Sequence, residues 1–273
     1  MDDPATLGQA LAGAHAIFAV SDFWGLYGDP ANRDRPGPGQ PLNVWAADHE
    51  VQQLKNVIDA AAEVGSLERF VLSGLSNATK WSRGKYTHVY HFDSKARAED
   101  YLKETYPDLW AKTSVFQAGL FLSNFVVNPI MQPVKNKDGV AQFTGNIDVD
   151  VKFPFIAAEE DTGAFVTALV DEPAGKNVIG YREWLTHREV MAIFSRATGI
   201  PAEAVQLPAG QSKVDSPPDL KLELDDNFAY WNEFGYEGRD DPTIIHPKDL
   251  ATLGKLDTVH NYFTKFDWAK ILG

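Results

Sequence analysis

The chain has 273 residues, 44% apolar and 23% charged, the composition of a folded globular protein rather than a disordered or fibrous one. At roughly 100–200 residues per domain, it accommodates one large domain or two small ones. Its 25 basic and 38 acidic residues leave a net charge of −13, which repels phosphate backbones and anionic lipid and argues against direct nucleic-acid or membrane binding.

With no cysteine, a disulfide framework, a thiolate zinc site and a cysteine nucleophile are excluded. The amino terminus, MDDPATLGQALAGAHAIFAV, opens on two acids and lacks the basic segment of a secretory signal. No apolar run approaches the roughly 18 residues that span a bilayer, so a cytoplasmic protein is expected.

Ala16-Ile17-Phe18-Ala19-Val20 is a continuous apolar run closed by Ser21-Asp22, the pattern of a strand covered on both faces. Residues 25–41, GLYGDPANRDRPGPGQP, concentrate Gly and Pro so densely that a loop is expected. From Asn43 to Val64 the positions Val44, Ala47, Val51, Leu54, Ile58 and Ala61 recur every three or four residues, and Gly65 supplies the stop of an amphipathic helix. Phe70-Val71-Leu72-Ser73-Gly74 predicts a second buried strand, residues 93–104 another helix, and Lys112-Thr113-Ser114-Val115-Phe116 a third strand. Alternation at these lengths requires right-handed crossovers and a parallel sheet with helices on both faces, an α/β fold.

Beyond about residue 125 the pattern loosens, with turns at Asn128-Pro129, Gln132-Pro133, Lys137-Asp138-Gly139 and Pro217-Pro218, and helical stretches at 161–171, 186–198 and 247–253. Residues 1–125 therefore read as the sheet domain, and residues 126–273 as a smaller, irregular lobe on the substrate side, interleaved with it. Aromatic residues gather late in this lobe, from Phe228, Tyr230 and Trp231 to Tyr262, Phe263 and Trp268, and most such clusters build cores.

Ligands of open parallel sheets bind at the carboxyl ends of the strands, which singles out Ser21-Asp22-Phe23-Trp24, Ser73-Gly74-Leu75 and Gln117-Ala118-Gly119-Leu120-Phe121. His91-Phe92-Asp93-Ser94-Lys95 opens a helix and places His91 and Lys95 one turn apart, a spacing that by itself more often marks a solvated face. Ser73 reads equally as a turn cap. Glu159-Glu160-Asp161 suits the positive end of a helix better than a metal, and His187, after Thr186 at another helix start, reads as surface or cap. Asp48-His49-Glu50 lies within the long helix, where neighbours diverge, so no metal site is expected.

Taken in order, DDPATLGQALAGAHAIFAVSDFW, the long helix, RFVLSGLSN, HFDSKARAEDYL, TSVFQAGLFLSNF and EEDTGAFVTALVD resemble the NmrA-like family of atypical short-chain dehydrogenase/reductases over about residues 2–200. The resemblance implies a Rossmann domain that binds NADP or NAD, with a small C-terminal lobe along the substrate cleft. It also implies a departure. The family's opening strand, GxxGxxG turn and ribose-reading strand end have no counterpart here, so about 60 residues, or two βα units, are expected to be missing. Dinucleotide binding should accordingly be weak or absent, and the strand at 16–20 should expose an apolar edge that seeks a protein partner or a second copy.

By the same resemblance Ser21, Asp22 and Phe23 would lie beside the adenosine and pyrophosphate, and Ser73, Lys95 and the loop Gln117, Ala118, Gly119 and Phe121 around the nicotinamide. The superfamily's Tyr-x-x-x-Lys proton donor position is His91, and imidazole can serve as a general acid near neutral pH; Tyr90 or Tyr86 are alternative donors. The implied function is an oxidoreductase acting on a small hydrophobic carbonyl or enone compound. The alternatives are a non-catalytic NADP-sensing or protein-binding module, favoured by His91 and the missing glycine turn, and a cofactor-independent lyase or isomerase.

Overall fold

Asp3 caps and Pro4 starts a short helix, α1 (Pro4–Leu11), which leads into β1 (Ala16–Ala19). The computed structural model describes residues 1–208 and 210–273. Asp22 caps α2 (Phe23–Gly28) by accepting from the Gly25 amide, and a 3-10 turn at Pro30–Asn32 precedes α3 (Leu42–Ala62). The expected 25–41 loop thus begins in a helix, because the Asp22 cap and buried Phe23 outweigh the local Gly and Pro content. β2 (Arg69–Gly74), α4 (Ala78–Trp81), α5 (Tyr90–Thr105), α6 (Pro107–Trp110) and β3 (Thr113–Ala118) complete the alternating half.

The second half runs β4 (Leu120–Phe121), α7 (Asn124–Val127), β5 (Val134–Lys135), β6 (Ala141–Gly145), β7 (Lys152–Ile156), α8 (Ala158–Asp171), β8 (Asn177–Gly180), β9 (Glu183–Thr186) and α9 (His187–Thr198). It ends with β10 (Ala202–Gln206), α10 (Pro218–Phe234), β11 (Ile244–Ile245), α11 (Val259–Phe263) and α12 (Trp268–Leu272). The stretch 247–253 forms only a 3-10 turn over Pro247–Asp249, capped by His246 and Asp249, with Leu250 packed against the α8 side of the sheet.

β1, β2, β3, β8 and β11 form one five-stranded sheet in that order, every pairing parallel. Strand alternation sorts its two faces. Ile17, Ala19, Phe70 and Leu72 pack under α3 and α5 against Leu54, Ile58, Ala98 and Leu102, whereas Val71, Phe116 and Val178 pack against Phe165, Ala168 and Leu169 of α8. Helices therefore cover both faces, and the chain's second half supplies β8 and β11. β1 pairs with β2 alone among the described residues, so its other edge is open, and Val20 just beyond it is 52% exposed. Two smaller sheets, β10-β6-β5 and β4-β7-β9, carry the rest.

The late aromatic residues build the largest core cluster, in which Tyr230, Trp231, Tyr262, Phe263 and Trp268 are all buried. His187 is the correction here. Thr186 and Glu189 form the capping box that starts α9, and packing among Phe125, Phe153 and Phe155 buries His187 to 5% exposure. Burial pushes its imidazole down to about 4, so it is neutral in the folded state at pH 7. Above the ordinary value of 6.5 the group is neutral in both states and contributes nothing to pH dependence. As pH falls from 6.5 towards 4 the unfolded chain takes up the proton first, and roughly 3 kcal/mol of stability is lost across that window. Urea unfolding at successive pH values should therefore give His187→Phe an acid slope shallower by one proton, and equal slopes would show that the imidazole is hydrated.

Candidate active site

The site grows from a carboxylate inside α3. Glu50 is fully buried and accepts hydrogen bonds from Ser21 Oγ at 2.7 Å, from Lys95 Nζ at 2.5 Å and from Ser94 Oγ. Its sequence neighbours diverge, Asp48 to Arg97 and His49 to Asp2, as the helical geometry requires. Lys95 is 9% exposed, so its face of α5 is not the solvated one that an isolated His/Lys pair suggests. A fully buried carboxylate holding an ammonium and two hydroxyls is a closed network, and each member is costly to remove.

One turn earlier on α5, the amide and Nδ1 of His91 both meet Glu223 Oε1, at 3.1 and 2.7 Å. Glu223 comes from α10, is fully buried, and accepts at Oε2 from Asn43 Nδ2 at 3.1 Å. The carboxylate selects the tautomer with the proton on Nδ1 and leaves Nε2 as the atom free to exchange one. The ring lies 4.8 Å from that of Trp24, itself 43% exposed, and 5.8 Å from Phe23. Tyr27 is pushed up to about 12 by burial and by the charges of Asp219 and Glu223, and burial with Glu223 also raises Tyr90. Both phenols stay protonated. Tyr86 is not at the site, because its hydroxyl donates to Glu233 Oε2 at 2.8 Å.

The sheet brings the rim positions level. Ala19 pairs with Leu72 and Leu72 with Val115, while Ser73 pairs with Phe116 and Gly74 with Gln117. No hydrogen-bond partner of the Ser73 hydroxyl is found among the described residues. Gln117 donates to Asn177 Oδ1 at 2.9 Å, but its buried Oε1 has no partner among the described residues. Ala118 accepts from Tyr236 at 3.0 Å, and a Cβ on Gly119 would lie 2.2 Å from the Pro154 carbonyl oxygen, which explains a glycine between β3 and β4. Asp22 is committed to its cap and Phe23 to a small core with Ala46 and Ala47. Phe121, 41% exposed, belongs to a different sheet, where it pairs with Ile156. Ser21 and Lys95 therefore share the buried Glu50 and His91 is held by the buried Glu223, whereas Asp22, Phe23 and Phe121 serve other local ends.

Asp161 and Glu160 are held by Arg182 at 2.6 Å each, and Asp161 accepts from the Ala157 amide at the start of α8, so these acids serve the helix and an ion-pair network. Sequence reasoning missed Glu50 as a site residue and missed Glu223 altogether.

A parallel sheet covered by helices on both faces, with Ser73 near the carboxyl end of β2 and His91 and Lys95 on α5 between β2 and β3, is a Rossmann-like fold. The NmrA-like family pattern matches residues 1–263, and the chain belongs to that family. It is 27% identical over 187 residues to the nitrogen metabolite repression protein nmrA of Emericella nidulans, a match over 66% of this chain and about half, 51%, of that protein. The crystal structure of NmrA, a negative transcriptional regulator, superposes with a TM-score of 0.73 at 19% identity, covering 99% of this chain and 79% of that one. The Citrobacter sp. triphenylmethane reductase complexed with NADP(H) superposes with a TM-score of 0.62 at 14% identity, over 97% and 80% of the two chains.

Tested against a nicotinamide dinucleotide, the residues fit one end. The unpartnered Ser73 hydroxyl and the orphaned Gln117 Oε1 offer polar groups for a nicotinamide and its ribose. No GxxGxxG turn occurs in the sequence to seat the pyrophosphate.

Proposed function

We propose that this protein is an NAD(P)-linked oxidoreductase acting on a small hydrophobic carbonyl or enone compound. The observation that carries it is the His91–Glu223 pair, a histidine whose Nδ1 is fixed by a buried carboxylate and whose Nε2 is left open, one helical turn before Lys95. The arrangement suits a general acid, since a proton delivered from Nε2 to the substrate oxygen leaves an imidazole still held in register by Glu223. A nicotinamide, when bound, supplies the hydride. Lys95 and Ser73 would then hold the ribose and the carbonyl oxygen, with Glu50 positioning the ammonium. Reduction of an enone or aromatic aldehyde series, followed by NADPH absorbance and product analysis, tests this; the expected result is turnover that requires His91.

A second reading is favoured by the Lys95–Glu50 pair. An ammonium already neutralised by a buried carboxylate suits a module that binds a dinucleotide without chemistry and reports its presence to a protein partner. Both readings share one expectation. Calorimetric titration of this chain with NADPH should give affinity weaker than low micromolar, because the helix N-terminus and backbone amides that seat a pyrophosphate are not supplied by its sequence. Tighter binding would mean that another segment provides that seat.

A further inference from the structure

On the side of α10 away from His91 lies a cavity that opens to solvent. Glu223 and Asn227 occupy the inner face of the helix, whereas Leu224 and Phe228 line this cavity together with Phe125, Phe143 and Ile147. His187 also lines it, and both ring nitrogens are buried without a hydrogen-bond partner among the described residues. A buried imidazole with neither nitrogen satisfied is expensive unless something entering the cavity meets it. Because burial keeps this ring neutral, it presents one N–H and one lone pair. A hydroxyl can donate to the second or accept from the first, so it suits either tautomer.

The cavity's charged lining residues differ in what they are free to do. Lys221 pairs with Asp225 at 2.5 Å, which neutralises both. Lys213 is half-buried, donates to the Gln132 carbonyl, and forms no ion pair among the described residues. It is therefore a cation available to an acidic ligand.

We propose that this cavity is a binding site for a small hydroxyaromatic acid, its ring among Phe125, Phe143 and Phe228, its hydroxyl on His187 and its carboxylate on Lys213. The site is separate from the His91 and Lys95 centre, and the proposal does not depend on the function assigned there.

The test is calorimetric titration of the whole chain with 4-hydroxyphenylacetate, phenylacetate and methyl 4-hydroxyphenylacetate. Saturable binding of the first is expected, with each of the other two about tenfold or more weaker, the loss typical of one unmade polar contact in a buried site. His187→Phe should bring the hydroxy acid down to the affinity of phenylacetate, and Lys213→Met should make acid and ester equivalent. In the unmodified protein, the ¹⁵N signals of the His187 ring should shift with 4-hydroxyphenylacetate and not with phenylacetate, a measurement that stands if His187→Phe does not fold. Absence of saturable binding, equal affinity for phenylacetate, or unshifted His187 signals would overturn the proposal; equal affinity would mean that water serves the imidazole.

Discussion

Glu50→Ala should be among the most destabilising single substitutions in this chain. It leaves the buried ammonium of Lys95 without its counter-charge and the hydroxyls of Ser21 and Ser94 without their acceptor. Breaking a buried pair from one side costs about 3–5 kcal/mol. In a protein of this size that lowers Tm by roughly 10 °C or more. Glu50→Gln with Lys95→Met, which removes both charges and keeps the volumes, should restore most of the loss, since an apolar replacement of both partners is close to neutral. Thermal unfolding of the two single variants and the double variant checks this. A single-variant loss below about 1 kcal/mol would show that water reaches the pair, which is the behaviour of a surface ion pair.

The same carboxylate shows why part of the site was illegible in the sequence. β1 and β2 were readable from the apolar runs Ala16–Ala19 and Phe70–Leu72, β3 from β-branched and aromatic residues after a helix, and α3 because Val51, Leu54 and Ile58 recur at helical spacing. Glu50 sits on that apolar side and breaks its pattern, and next to Asp48 and His49 within the helix it reads only as one of three diverging polar side chains that cannot share a metal. α10 was hidden for the same reason. Pro217-Pro218 reads as a turn, although a proline at the first helical position is a start signal, and the buried Glu223 and Asn227 interrupt its inner face. His187 follows a readable capping box, but only the tertiary packing of three phenylalanines turns it inward. Local pattern therefore located the scaffold, whereas long-range pairs between α3 and α5 and between α5 and α10 built the site. The short strands β8 and β11 were missed because four and two residues carry too little alternation to register.

His91→Phe should separate the two functional readings. As a proton donor, His91 is expected to contribute the 10²–10⁴-fold typical of general acid catalysis, so kcat for an accepted substrate should fall by about that factor. Dinucleotide affinity should stay nearly unchanged if the open Nε2 serves the substrate oxygen, because the ring's fixed contact is with Glu223 and not with the dinucleotide. Glu223→Gln tests the positioning role. An amide can present its N–H to Nδ1 and favour the wrong tautomer, so kcat should drop and its pH profile should change even though the side-chain volume is kept. Removal of Lys95 needs a neutral background, since Lys95→Ala alone strands a buried carboxylate; in Glu50→Gln with Lys95→Met the packing is preserved and the ammonium is gone. Dinucleotide affinity should weaken at least tenfold there if the lysine donates to the ribose. In a dinucleotide-sensing module the double variant still weakens binding, whereas His91→Phe removes the contact with Glu223 and repacks the surroundings of Trp24 with no turnover to lose. Turnover that survives His91→Phe unchanged would move the proton donor to another group, with the protonated Tyr90 of α5 the next to test. Affinity that survives the double variant would take the dinucleotide away from this rim.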